Sequence, residues 1–215
     1  MNRRIVRGVA AAIASSFSAM PSSAGPTDGW ARYSTSYEIH KPYDVSVGDR
    51  FRYRGGVWTF WVFDSDKAHR PDSRTAPRSE VRWHNDYTSG RRMWDGDVYL
   101  VAGTNGASIA QVFGASQRAT ASMVFAYSAA RGSLRRYDSD LEVLATGINN
   151  KWTNLKLAHD ADANIVRIYV NDSLKSTEPD HGDNVHYFKN GVYGQKGASK
   201  RMECRFRNVK LWHKK

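Results

Sequence analysis

The chain has 215 residues, with 32 Lys+Arg against 21 Asp+Glu, a net charge of +11 at pH 7, and one cysteine. The lone Cys204 excludes an intrachain disulfide, and the lack of clustered Cys and His ligands argues against a structural zinc site. The basic excess calls for an anionic partner.

Arg3, Arg4 and Arg7 open the chain, an apolar stretch follows over 9–14, and Ser22-Ser23-Ala24 supplies the small residues that a signal peptidase reads. A signal peptide is expected over 1–24, leaving one secreted domain, extracellular or periplasmic, over 25–215. The apolar stretch is too short to span a bilayer, so no membrane partner is expected. Without the signal peptide the balance is 29 Lys+Arg to 21 Asp+Glu, still a net charge of +8. Nucleic acid is the generic partner of such charge. Here the basic residues are scattered along strands rather than gathered in arms or helices, and export adds to the case against nucleic acid. An acidic polysaccharide fits better.

Beyond the signal, nearly every segment reads as strand. Residues 51–63 are aromatic and broken by Gly55-Gly56, which predicts two strands and a hairpin turn. A polar loop over 64–73 leads into Arg78-Ser79-Glu80-Val81-Arg82, where alternation puts Arg78, Glu80, Arg82 and then His84 on one face. Short strands are predicted over 97–101, 108–113, 122–127, 134–137 and 152–159. Residues 165–170 and 173–175 form a hairpin across Asn171-Asp172, a pair that tolerates positive φ. A second polar loop over 178–183 leads into 187–195, whose alternation puts Tyr187, Lys189, Tyr193 and Gln195 on one face with Gly191 between them. A strand over 204–212 closes the chain, with Cys204 as a small buried hydrophobe.

Many short strands with frequent turns, and no sustained helical period, predict an all-β, single-domain jelly-roll sandwich of the concanavalin A-like kind. If the Arg78 and Tyr187 strands are neighbours, they form a concave surface of guanidinium, ammonium, phenol and amide, and both polar loops would border it. Trp58, Trp61, Trp83 and Trp94 could stack on sugar rings, but at sandwich positions tryptophans more often fill the core.

These two segments, in this order and with a Gln-containing strand between them, resemble the signature strands of the alginate lyases of polysaccharide lyase family 7. The chain is also similar to the glucuronan lyases of family 20. Ile39-His40-Lys41-Pro42-Tyr43-Asp44-Val45, Phe60-Trp61-Val62-Phe63, Asp86-Tyr87-Thr88-Ser89-Gly90, Gln111-Val112-Phe113-Gly114-Ala115 and His186-Tyr187-Phe188-Lys189 resemble the secreted plant citrate-binding proteins.

The resemblance implies a jelly roll whose concave sheet binds a polyuronate and cleaves it by β-elimination, with no cofactor and no obligatory metal. It implies that Arg78, Gln111 and Tyr193 are catalytic, and that Glu80, Arg82 and Lys189 bind substrate or support them; Tyr187 and Gln195, which share the Lys189 and Tyr193 face by alternation, are expected to bind substrate beside them. In family 7 a histidine lies two residues after the glutamine; here that place is Phe113.

The chemistry fits a single face. Positive charge and hydrogen bonds on a uronate carboxylate stabilise the enolate-like intermediate formed when C5 loses its proton. Arg78 can grip that carboxylate bidentately and Gln111 can donate to it. In β-linked mannuronate and glucuronate the C5 proton and O4 lie on one side of the ring, so Tyr193 could serve as base and then acid, with Lys189 or Arg78 tuning it. Guluronate would need a second group. His69, in the loop before Arg78, is the alternative base. His84 lies roughly 20 Å along the strand from Arg78 and is set aside, and His186 points away from the Tyr193 face. The expected function is a secreted, monomeric lyase of a β-1,4-linked polyuronate. The alternative is a non-catalytic binder of an acidic glycan or of a small organic acid such as citrate.

Overall fold

The computed structural model describes residues 25–137 and 141–214, so the expected signal peptide lies outside the described residues. Fifteen strands form two antiparallel sheets packed face to face, and no α-helix occurs among the described residues. The architecture is the expected jelly-roll sandwich.

One sheet carries the two segments singled out above. At its centre, β14 (Tyr187–Gly194) lies between β5 (Arg78–Trp83) and β7 (Ala107–Phe113). β2 (Tyr37–His40) flanks β5 at one edge. β8 (Thr120–Tyr127), β9 (Ser133–Arg136) and β10 (Val143–Thr146) continue from β7 to the other. The opposing sheet runs from β13 (Ser173–Pro179) through β12 (Ile165–Val170), β11 (Trp152–Asp160), β6 (Arg91–Leu100), β15 (Arg201–Lys214) and β4 (Val57–Phe63) to β3 (Phe51–Arg54). β1 (Ala31–Tyr33) pairs with β15 beside this path.

Local sequence accounts for these elements. In β12, Val166, Ile168 and Val170 are buried while Ile165, Arg167 and Tyr169 are half-exposed, the period-2 pattern of a sheet with one dry face. Its hairpin turns on Asn171 and Asp172, at φ 48° and 62°, and the β3–β4 hairpin turns on Gly55 and Gly56, at φ 58° and 75°. These positive φ values match a right-twisted two-residue hairpin.

The core between the sheets is aromatic and aliphatic, with Phe60, Trp94, Phe188 and Phe206 fully buried. Trp83 and Trp94 belong to it, so neither is available to stack on a sugar. Asn190, also fully buried, joins the sheets: its Oδ1 accepts from Trp83 Nε1 at 2.8 Å and Trp94 Nε1 at 3.1 Å. Cys204 is buried as expected, and burial pushes its thiol pKa up.

Two backbone features set the working face. The β14–β7 ladder shifts register between Asn190 and Tyr193, the kind of irregularity that re-aims side chains. At Gly191, φ is +153°, and an added Cβ would lie 2.3 Å from the Ser79 carbonyl oxygen and 2.4 Å from Glu80 Cα. Only glycine lets β14 and β5 approach this closely. Gly191→Ala should therefore destabilise the fold by about 3 kcal/mol and lower the melting temperature by about 6–12 °C, as measured by denaturant and thermal unfolding.

Candidate functional site

Register places the expected residues side by side. Lys189 pairs with Arg82 on one side and Gln111 on the other; Gly191 faces Glu80 and Tyr193 faces Arg78. The side chains of Arg78, Arg82, Gln111, Tyr187, Lys189, Tyr193 and Gln195 line a cleft of about 920 Å³, joined by His69 and Phe113.

Glu80, expected among the substrate-binding residues, lies beneath this floor rather than on its surface and is 1% exposed. Its Oε1 accepts from Arg78 Nη1 at 2.9 Å and from Lys189 Nζ, and its Oε2 accepts from Gln111 Nε2 at 2.8 Å. One carboxylate therefore fixes three donors from three adjacent strands. Burial alone would push the Glu80 pKa up, but Lys189 and Arg78 outweigh it and hold the carboxyl below its usual range. At neutral pH it is an anion spent on orientation. As a buried carboxylate it would repel a polyanionic ligand, so holding the donors is the role its surroundings allow.

Above Glu80, cations stack on phenols. The Arg78 guanidinium lies 3.9 Å from the centre of the Tyr193 ring, and that of Arg82 lies 3.9 Å from the Tyr187 ring. Arg82 is further held by Asp86, Nη2 to Oδ2 at 2.8 Å. Phe113 stacks on Tyr187 with ring centres 4.9 Å apart, and Lys189 Nζ lies 5.5 Å from the Phe113 ring centre. The place where the resemblance implies a histidine is thus filled by an apolar ring.

Imidazoles reach the cleft from elsewhere. His69 enters from the 64–73 loop and stacks on His40 of β2 with ring centres 5.2 Å apart. Burial, then the charge of Arg78, lowers the His69 pKa to about 4; burial and Lys189 also lower that of His40. His40 Nε2 lies 2.9 Å from Glu38. Sequence reasoning missed His40, although its strand directly faces Glu80 and it sits in the quoted Ile39–Val45 motif. Lys41, Arg118 and Tyr137 also line the cleft, brought there by loops and strand ends that carry no pattern.

The 178–183 stretch, expected to border this face, does not. Glu178 belongs to β13 and is buried against Ser122 and Arg136, and Asp180 is buried against His159. Alternation along β13 turns Glu178 inward, and the chain dives into the core before it reaches β14. His84 lies outside the main cleft, beside Glu38, Arg82 and Asp86, and His186 is buried on the opposite face from Tyr193.

Seven buried side-chain polar atoms lack a hydrogen-bond partner among the described residues. Four of them, His40 Nδ1, His69 Nδ1, Arg78 Nε and Gln195 Nε2, belong to cleft residues. Each such atom costs on the order of 1–3 kcal/mol until something pairs with it. Lys41, Arg70, Arg78, Arg82, Arg118 and Lys189 stand against the single carboxylate of Glu38 on the cleft walls, a charge balance suited to an anion.

Comparison with known proteins agrees in fold. The alginate lyase family model matches residues 34–213. A citrate-binding protein of Hevea brasiliensis is 37% identical over 195 residues, spanning 88% of this chain and 80% of that protein. Among solved structures, the alginate lyase AlgAT5 of polysaccharide lyase family 7 superposes with a TM-score of 0.66 at 18% identity, covering 84% of this chain and 95% of that one. A family 7 alginate lyase in complex with the substrate GGMG superposes at 0.62 and 13% identity, covering 83% and 92%.

Two outcomes test this geometry. Glu80→Gln leaves two buried cations without their counter-ion and should cost about 3–5 kcal/mol in denaturant unfolding. Because His40, His69 and His159 have folded pKa values below the unfolded value, the unfolded chain takes up protons first on acidification. Their contribution to stability is complete above pH about 6.5 and is lost as pH falls through their lowered folded values, which for His69 is about 4. Melting temperature should fall across that window, and less steeply in His69→Ala.

Proposed function

Because the chain belongs to the alginate lyase family, we propose that it is a polysaccharide lyase that cleaves a β-1,4-linked polyuronate, glucuronan or mannuronate-rich alginate, by β-elimination. The observation that carries this reading is the stack of Arg78 on Tyr193 beside the Glu80-held donors, which unites carboxylate recognition and a proton-transfer group on one face.

In this reading the uronate carboxylate takes the N–H groups of Arg78 and Gln111 that Glu80 leaves free. Neutralised there, it accepts the electron pair as the C5 proton leaves, and the C4–O4 bond then breaks as the C4–C5 double bond forms. Tyr193, on the same side of the ring as both C5–H and O4 in β-linked mannuronate and glucuronate, takes the C5 proton onto its phenolate oxygen and returns that proton to O4 as it departs. Lys189, committed to Glu80, holds the floor and adds charge. His69 is the alternative base: with a pKa of about 4 it is unprotonated at neutral pH and able to accept a proton. Arg82, Tyr187 and Gln195 bind neighbouring sugars.

A second reading has its own support. Phe113 stacks on Tyr187 where the family carries a histidine, and a relative 37% identical is named for citrate binding. The same cationic cleft would then hold an acidic glycan or a small tricarboxylate without turnover.

Ultraviolet absorbance separates the two, because elimination creates a conjugated unsaturated uronate. Glucuronan or polymannuronate should give a rise that Tyr193→Phe reduces by about 10²–10⁴ in kcat while affinity is kept. No rise on any polyuronate, with citrate or oligouronate binding retained, would establish the binding protein. If His69 is the base, kcat/KM should be level from pH 6 to 8 and fall only as pH approaches about 4.

A further inference from the structure

We propose that His159, Asp180 and His186 form a buried binding site for a divalent transition-metal ion of the zinc class, clipping the two sheets together away from the cleft. The sequence, with no clustered Cys and His ligands, argues against a structural zinc site and leaves open whether another structural metal is bound, because these three residues are spread over three segments. The fold unites them. His159 lies near the end of β11, Asp180 follows β13 by one residue, and His186 precedes β14 by one. His159 belongs to one sheet, Asp180 follows a strand of that same sheet, and His186 leads into the other. One donor atom from each lies within 4.8 Å of the others. The three are 0%, 0% and 1% exposed, and none lines the cleft.

The surroundings are those of ligands rather than of packing residues. Metal-bound histidines characteristically engage the second ring nitrogen with a carbonyl, carboxylate or similar partner, which fixes ring and tautomer. Both imidazoles do this here. His186 Nδ1 lies 2.7 Å from the Gly114 carbonyl oxygen, which can only accept, so Nδ1 carries the hydrogen and Nε2 the lone pair. His159 Nδ1 lies 2.8 Å from the buried Tyr87 hydroxyl, and its Nε2 lies 3.0 Å from Asp180 Oδ2. Asp180 Oδ1 is held by the Gly182 backbone N–H at 2.9 Å.

Charge supplies the second argument. A fully buried carboxylate needs a cation. Among the described residues the ionic partner of Asp180 is His159, whose Nε2 lies 3.0 Å from Oδ2, and no arginine or lysine pairs with this carboxylate. A divalent ion corrects the imbalance at no proton cost. His159 passes to its other neutral tautomer, with Nδ1–H donating to the Tyr87 oxygen and the Nε2 lone pair on the metal. Two imidazoles and one carboxylate suit zinc and its neighbours better than calcium or magnesium, which prefer all-oxygen shells.

The test uses untagged full-length protein, stripped with chelator, dialysed against micromolar ZnCl2 and then desalted. About one equivalent of zinc should remain bound, with a higher melting temperature than the stripped protein. With CoCl2, X-ray absorption should show two imidazoles in the metal shell. Asp180→Asn should bind zinc at least about tenfold more weakly, while His84→Ala, altering an exposed histidine outside the cluster, should bind it normally. If Asp180→Asn does not fold, the cobalt shell of the wild-type protein decides. Sub-stoichiometric zinc with an unchanged melting temperature, a shell without imidazoles, or undiminished uptake by folded Asp180→Asn would each overturn the site.

Discussion

The working face depends on one buried carboxylate. Arg78, Lys189 and Gln111 come from three adjacent strands, and without Glu80 two like charges would crowd a dry floor. Glu80 turns that repulsion into a fixed array and leaves the array with net positive charge. Ion triads of this kind are weak evidence for stability, because desolvation consumes most of the Coulombic gain. Their value here is positional: donors that are already oriented need no reorganisation when a carboxylate arrives. The close approach of β14 to β5 at Gly191 brings the anion within reach of all three.

Much of this was legible in the chain because strand alternation is a local rule. It puts Arg78 and Glu80 on one face of their strand and Lys189 and Tyr193 on one face of theirs, and the resemblance supplies the pairing that joins the two faces, which alternation cannot. The hairpins at Gly55-Gly56 and Asn171-Asp172 were likewise written in turn chemistry. Edge strands and loops were not. β2 is only four residues, Tyr-Glu-Ile-His, two exposed and two half-buried with no clean period, so no local pattern marks His40. Arg118 and Tyr137 reach the cleft from strand ends, where no periodicity applies.

Glu80 itself shows where sequence reasoning stops. Its face was read correctly and its depth was not, because burial depends on what neighbouring strands lay over a side chain. The 178–183 stretch misled for the same reason, since polar residues can turn inward when other polar groups await them. His159, Asp180 and His186 assemble only through the packing of both sheets, and their separation in sequence hides them from any spacing rule.

In the proposed reading Phe113 is the point on which enzyme and binder divide, because Tyr193 or His69 then has to supply the base. The most direct measurement is a crystal structure of the Tyr193→Phe protein with a mannuronate or glucuronate oligomer. The account expects one uronate carboxylate on Arg78 and Gln111, with its C5 and O4 edge turned to ring 193. A carboxylate held elsewhere in the cleft, or a C5 edge turned toward Phe113, would contradict it.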